Sequence, residues 1–358
     1  MDAYSPLIEG TRQPPARRFR LGLTADFFTV TGEPRYREMG ERLAAAYPQF
    51  EFVRLNRHEP ELLPEQLVGL NGIVVLTPRV TARSLEQAND LLLLARFGVG
   101  YDSVDVAACT ARNVAVTITA GAVDRPVAEA TVAWLLALTH HVRMKDRLVR
   151  EGRWDERSRY MGMELREHTL GIVGFGGIGR QVLELLRGFG MNTPLVFDPF
   201  VPAEQVVAAN ARSVALDELL TESDFVSLHC PLNDATRGLI GAPQLARMKP
   251  TAFLINTARG GIVDENALYS ALVERRLAGA ALDCFDIEPV VVPARFAEFD
   301  NVLLAPHAIA WTEELFRDIG RMAIGGAVDL LAHRRPHGLL NPTVLDTREF
   351  QSRWLTIR

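Results

Sequence analysis

The sequence is poor in several things, and each shortage closes a door. It has three cysteines in 358 residues, Cys109, Cys230 and Cys284, with no C-x-x-C pair and no metal-ligand spacing. That excludes a disulfide-stapled scaffold and a cysteine-built zinc module, and it predicts reduced, buried thiols in a cytoplasmic protein. No apolar run reaches the roughly 18 residues a membrane helix needs. The most apolar stretch, Val127 to Leu138, is interrupted by Glu129 and Thr131. Asp2, Pro6, Glu9, Pro14 and Pro15 stand where a secretory segment would carry its apolar core, so none is expected. There is no excess of positive charge either. A net charge of −5 argues against nucleic acid or an anionic membrane as the main partner. The pairs Arg17-Arg18 and Arg334-Arg335 read as solvated surface.

What the chain does have is core. Its hydrophobic fraction is 48% and its mean hydropathy +0.05. Its length suits two domains. Residues 1–18 lack periodicity and read as an N-terminal arm. Apolar runs at Leu21–Thr24, Phe50–Leu55, Gly72–Leu76 and Val114–Thr117 predict strands, and Leu91–Phe97 leads into Gly98-Val99-Gly100. Helical spacing between them, at Tyr36–Tyr47 and from Ser84 to Ala88, predicts a parallel α/β unit. Asp124 reads as an N-cap, with Pro126 in the first turn of a helix over Val127–Val142. That helix is apolar almost all round, so it is expected to cross between domains or form a subunit contact. Leu148–Glu167 reads as a polar surface loop or an arm. Six further strands are expected, at Leu170–Val173, Leu195–Phe197, Phe225–His229, Ala252–Asn256, Ala280–Asp283 and Val302–Ala305. A long helix over Glu313–His333 then carries the chain back to the first domain.

The stretch from Thr169 to Gly190 organises the second half. A buried-strand run ends at Val173, and Gly174, Gly176 and Gly179 follow at G-x-G-x-x-G spacing. The first glycine allows a tight turn, the second lets a pyrophosphate approach the backbone, and the third lets helix and strand pack closely. The helix that begins there offers free N–H groups and partial positive charge to phosphates. Asp198 closes the next strand nineteen positions past the last glycine, placed to accept from a ribose diol. Glycine turns are common. The strand, helix and acid around this one make it a dinucleotide site. No cation follows Asp198, only Pro199, Phe200 and Val201, so NAD is expected over NADP.

In doubly wound sheets, chemistry collects beyond the carboxyl ends of the strands. There the chain carries His229, Cys230 and Pro231; then Asn256 to Gly261, including Thr257, Ala258 and Arg259; then Asp283 and, further on, Glu288; then His307. Taken singly, a histidine after a strand is more often structural, and Glu288 alone reads as a loop acid. Together they have a mechanism. Hydride transfer from a carbinol carbon needs the hydroxyl proton removed, which suits a histidine of unperturbed pKa about 6.5. A carboxylate orients the ring, and an arginine binds an α-hydroxy carboxylate and polarises the developing carbonyl.

With these stretches in hand, the chain resembles the D-isomer-specific 2-hydroxyacid dehydrogenases, the group of D-3-phosphoglycerate, glycerate/glyoxylate and D-lactate dehydrogenases. The resemblance runs from about Leu21 to Pro342 and rests on Gly98-Val99-Gly100-Tyr101-Asp102-Ser103-Val104-Asp105, Gly174–Gly179, Leu228-His229-Cys230-Pro231-Leu232, Ile255–Gly261, Ala281-Leu282-Asp283 with Glu288-Pro289, and Ala305-Pro306-His307. It implies two doubly wound parallel-sheet domains. A Rossmann NAD-binding domain at 120–308 would be inserted in a discontinuous flavodoxin-like substrate domain at 19–119 and 309–345, with a tail at 346–358. It implies Arg259, Glu288 and His307 as catalytic residues. Gly174, Gly176, Gly177, Ile178, Gly179, Asp198, Cys230, Pro231, Thr257, Ala258, Arg259, Asp283 and His307 would meet the cofactor. Val99, Gly100, Arg259 and His307 would meet the substrate. It further implies domain closure and a homodimer through the NAD-binding domains; no metal is expected.

Some positions depart from the family's pattern. Gly177 stands where the family usually has Arg, which removes one basic contact near the pyrophosphate. The loop Leu76–Arg79 lacks the arginine of phosphoglycerate enzymes, although Arg79 is close. Trp311, four positions after His307, reads equally as a pocket wall or an interface core residue. Two other readings remain at this stage. The C-terminal-binding corepressors, which sense NAD, resemble the same family and keep its site residues; against that reading stands the lack of a long disordered tail. A family member acting on phosphite is the other.

Overall fold

Short unbroken apolar runs become parallel strands when both faces are covered, and that rule accounts for most of this chain. The computed structural model describes residues 18–36 and 41–356. The chain divides into two units, one running to Thr119 and resuming at Ile319, the other spanning Ala120–Asp318.

In the first unit, β1 (Phe19–Leu23), β2 (Phe50–Arg54), β3 (Gly72–Val75), β4 (Leu93–Arg96) and β5 (Ala115–Thr117) form a parallel sheet in the order β2-β1-β3-β4-β5. The winding reverses between β1 and β3. Ile73, Val74 and Val75 are wholly buried. Between these strands lie α1 (Glu41–Ala46) and α2 (Val106–Ala111). Asp105 caps α2, its carboxylate accepting from the Ala108 N–H at 2.8 Å.

The second unit opens with α3 (Asp124–Thr139) and α4 (Val142–Arg150). Then come β6 (Leu170–Val173), α5 (Gly177–Leu186), β7 (Leu195–Phe197), α6 (Ala203–Ala208), β8 (Arg212–Ser213), α7 (Leu216–Glu222), β9 (Phe225–Leu228), α8 (Ala242–Leu245), β10 (Phe253–Asn256), α9 (Glu265–Val273), β11 (Gly279–Leu282) and β12 (Val302–Leu304). All strands pair in parallel, in the order β12-β11-β10-β9-β6-β7-β8. The order reverses at β6 and β9, and α5 starts there. One face of the sheet packs on Leu219, Leu245, Leu268 and Phe296, the other on Trp134, Leu135, Val182 and Leu186. Each such buried side chain is worth roughly 1.5–3 kcal/mol. Last come α10 (Glu313–Leu331) and α11 (Arg348–Trp354).

Several expectations are corrected. The second sheet has seven strands, because β8 adds an exposed two-residue edge. Ser84–Ala88 forms turns and no helix. Helix α3 packs on α5, β10 and β11 inside the second unit, and this packing covers part of its apolar surface. Asp124 is no N-cap: Val123 holds that position and Asp124 begins the helix. Leu148–Glu167 contains the end of α4 and a 3-10 turn at Trp154–Tyr160. By compactness the first unit resumes at Ile319, within the continuous helix α10. Residues 346–358 include α11, whose Phe350 and Trp354 are buried. Trp354 Nε1 donates to Leu330 O at 2.7 Å, and Arg353 donates to Leu91 O at 3.0 Å. The arm at 1–18, apart from Arg18, and Met39 of the expected first helix lie outside the described residues. Among the described residues no helix is long and apolar enough to cross a membrane.

Candidate active site

The turn from β6 into α5 is built as its glycines require. Gly174 has φ +95°, and a Cβ there would come within 2.6 Å of Cys230 N. A Cβ on Gly179 would come within 2.5 Å of Gly174 O, so helix and strand could not close up. Gly176 faces open space, with nothing among the described residues within 4 Å of an added Cβ. The N–H groups of Gly177, Ile178 and Gly179 find no acceptor among the described residues. A backbone stripped of side chains, open on one side and rich in free donors, fits a dinucleotide pyrophosphate.

Asp198 follows β7 beside that turn. The Phe175 N–H donates to its Oδ2 at 2.7 Å and the Phe200 N–H to its Oδ1 at 2.9 Å. The carboxylate is therefore held in place against the glycine turn, with lone pairs to spare for a diol.

Beyond β9 come His229, Cys230 and Pro231. Cys230 is half-buried, and burial raises its thiol pKa to about 11. The ring of His229 contacts Ser227 Oγ through Nε2 at 2.9 Å. Its Nδ1 is shut off from solvent without a partner among the described residues, and burial lowers its pKa to about 4.

Beyond β10, the buried Asn256 shapes the next turn. Its Oδ1 accepts from the Ala258 N–H at 3.0 Å and its Nδ2 donates to Arg259 O at 2.8 Å. Thr257 is buried, its hydroxyl 3.3 Å from that of Thr131 on α3. Gly260 is obligatory, since a Cβ there would fall 1.9 Å from Phe285 O. Arg259 sits half-buried between them, and its positive charge is felt at Glu288.

Beyond β11 and β12 lies an acid–imidazole pair. His307 Nδ1 is 2.8 Å from Glu288 Oε2, with both side chains partly exposed. Glu288 Oε1 also accepts from the Phe285 N–H at 2.8 Å. Burial pushes the Glu288 pKa up, but His307, the Phe285 N–H and Arg259 outweigh it and hold the carboxyl below its ordinary value. Asp283 is buried beneath. Its Oδ1 accepts from the N–H groups of Ala308 at 2.9 Å and Ile309 at 3.2 Å, while its own carbonyl accepts from the His307 N–H at 2.8 Å. Burial raises its pKa against those donors and the His307 charge. In this structure Asp283 therefore sets the loop that carries His307, which has φ +53°. Cys284 stands behind the pair, and its Sγ and ligand atoms of Glu288 and His307 lie within 4.8 Å of one another. Trp311 is exposed, its ring edge-on to Phe316 at 5.1 Å.

Val99 and Gly100 belong to the first unit, just past β4. Gly98 before them has φ +136°, and the N–H groups of Val99 and Gly100 find no acceptor among the described residues. Three residues that shape the site went unsingled in the sequence. Asn256 lay inside a motif without a role of its own, and Cys284 was read only as a reduced, buried thiol. Asp124, read as a cap, places its carboxylate against Gly177: a Cβ at 177 would fall 1.9 Å from Asp124 Oδ2.

A seven-stranded, doubly wound sheet with a glycine turn and ribose acid at its reversal, and an imidazole–carboxylate pair with an arginine at its carboxyl edge, defines a nicotinamide-dinucleotide oxidoreductase. Comparison with known proteins narrows this. Residues 132–308 match the model of the D-isomer specific 2-hydroxyacid dehydrogenase, NAD binding domain. A glyoxylate reductase of Korarchaeum cryptofilum is 40% identical over 295 residues, covering 80% of this chain and 88% of that protein. A D-3-phosphoglycerate dehydrogenase of Archaeoglobus fulgidus is 35% identical over 292 residues, covering 81% of this chain but 55% of that longer protein. The crystal structure of a D-lactate dehydrogenase from Aquifex aeolicus, complexed with NAD and lactic acid, superposes with a TM-score of 0.77 at 26% identity, over 87% of this chain and 96% of that one. The chain belongs to the D-isomer-specific 2-hydroxyacid dehydrogenases. It is an NAD-dependent oxidoreductase.

Proposed function

We propose that the protein interconverts a small D-2-hydroxy acid and its 2-oxo acid, with His307 as general acid/base, Glu288 as its partner and Arg259 as the substrate anchor. The observation that carries this is the 2.8 Å contact between His307 Nδ1 and Glu288 Oε2 under the charge of Arg259. With Nδ1 turned to the carboxylate, Nε2 is the atom that gives or takes the substrate proton. Glu288, held anionic, favours the imidazolium that forms when His307 accepts the hydroxyl proton. The Arg259 guanidinium binds the substrate carboxylate and draws charge onto the carbonyl oxygen. The cofactor, when bound, supplies or accepts the hydride. In the first unit, the free N–H groups of Val99 and Gly100 suit an anion.

Asp198 supports NAD over NADP, because a fixed carboxylate at the ribose repels a 2′-phosphate. Glyoxylate, the substrate in the name of the Korarchaeum relative, is the first 2-oxo acid to test. NADH oxidation is to be followed against a panel including glyoxylate, hydroxypyruvate, pyruvate and 3-phosphohydroxypyruvate. Turnover of one or more small unphosphorylated members supports the reading. Tight NADH binding with no turnover of any would overturn it. We also propose a homodimer through the NAD-binding domains, supported by Val142, Val149, Trp154 and Met161, which are exposed on α4 and the stretch after it. A monomer mass by light scattering at working concentration would overturn that.

A further inference from the structure

Gly177 is the first residue of α5 and opens the turn that fits the pyrophosphate. The space beside it is filled by another residue's charge. An added Cβ would lie 1.9 Å from Oδ2, 2.4 Å from Cγ and 2.8 Å from Oδ1 of Asp124. So the whole carboxylate, and not its edge, occupies the volume that a side chain at 177 would take. Helix α3 brings it there by packing along α5.

That carboxylate is poorly compensated. Burial raises its pKa above the ordinary aspartate value, and among the described residues no hydrogen bond or ion pair opposes the cost. The arginines of the two helices are engaged elsewhere. Arg125 pairs with Glu129. Arg180 lies 4.4 Å over the Phe175 ring and donates to Gln205 Oε1 at 2.9 Å. What remains to favour the charge is the N-terminus of α5 itself, with its free N–H groups and partial positive charge. A bound pyrophosphate draws on the same groups.

We propose that Asp124 sets how tightly the dinucleotide is held: seated beside Gly177, its carboxylate competes with the pyrophosphate for the field of the α5 N-terminus, so the chain binds NAD more weakly and releases it faster than the glycine turn alone would allow. Asp124 acts here on cofactor affinity and takes no part in proton or hydride transfer. The inference concerns the cofactor site alone and is measured without substrate, so it stands or falls separately from the choice of substrate.

The test is a fluorescence titration of NADH, with stopped-flow release, on the wild-type protein and Asp124→Asn, repeated by calorimetry with ADP-ribose, which keeps the pyrophosphate and lacks nicotinamide. Asn preserves the volume and removes the charge. Kd is expected to fall about tenfold for both ligands, the scale of removing one like charge from the edge of a partly desolvated anion site, and NADH release should slow in step. An unchanged Kd, or weaker binding of either ligand, overturns the proposal. Weakening confined to NADH would instead place the carboxylate on the nicotinamide half. A second pair of variants tests the seating. Gly177→Ala and Asp124→Ala compete for one volume, so their effects on NADH Kd should be non-additive by about threefold or more. Additivity would show that the carboxylate is not seated there.

Discussion

Two histidines follow parallel strands of the same sheet, and the two strand ends could hardly differ more. His229, past β9, keeps its ring against Ser227; its Nδ1 is sealed from solvent, and burial holds its pKa near 4. His307, past β12, keeps its side chain partly in water, with Glu288 on Nδ1 and a loop braced by Asp283. Each is one apolar run followed by a histidine in the sequence. What separates them is access to water and a carboxylate brought from a different strand end. A proton carrier needs both, because it must be able to hold the charge and to exchange the proton.

The largest test of this contrast is His307→Ala. It is expected to lower kcat for the best 2-oxo acid by about 10²–10⁴, the usual worth of general acid–base catalysis, with NADH binding by fluorescence retained. The comparison breaks if His229→Asn costs as much, or if His307→Ala turns over near-normally. Next comes Arg259→Lys. It keeps the charge but loses the planar fork, and kcat/KM should fall by about 10², with KM rising and kcat falling together. Unchanged kinetics would return Arg259 to a structural part in its turn, where it already donates to Ala258 O.

Glu288→Gln sharpens the contrast more gently. The His307 hydrogen bond has an acceptor still, but the anion is gone. Reduction of the 2-oxo acid draws its proton from the imidazolium, which the anion stabilises, so kcat at neutral pH should fall roughly tenfold. A pH–rate profile superimposable on that of the wild type would mean Glu288 only braces the loop through the Phe285 N–H.

How much of this was legible before the structure follows from where each signal resides. Strands covered on both faces are unbroken apolar runs, so β6 and β7 were read to the residue and most others to within a residue or two; β4 was passed over as a lead into the Gly98 turn. The edge strand β8, with exposed Arg212 and Ser213, carries no such signal. The glycine turn was legible because each glycine has a separate local cause. The chain's division within α10 was not, since one continuous helical pattern runs through Ile319. Arg259, Glu288 and His307 could be found together because the doubly wound fold puts every strand end on one edge. Asp124 could not be joined to Gly177, because only the packing of α3 on α5 connects them. Asp283 was found as a site residue, but its bonds to Ala308 and Ile309 depend on a loop whose path no spacing encodes.

The smallest effect on turnover is expected at His229, and its signature lies in stability. At neutral pH His229→Gln should change kcat by less than about twofold, since the imidazole carries no proton for the reaction. Its folded pKa near 4 lies below the unfolded value of about 6.5. Above pH 6.5 both states are neutral there, and the group is indifferent to pH. As the pH falls below 6.5, the unfolded chain takes up a proton that the folded one refuses, so stability is lost progressively until the folded pKa is reached. The loss amounts to up to about 3 kcal/mol between pH 6.5 and 4. Urea midpoints measured across that window should therefore drop more steeply for the wild type than for His229→Gln, whatever the offset between them at neutral pH. Parallel curves would mean that the ring takes up its proton in the folded state, and the two strand ends would then differ only in the carboxylate that one of them has.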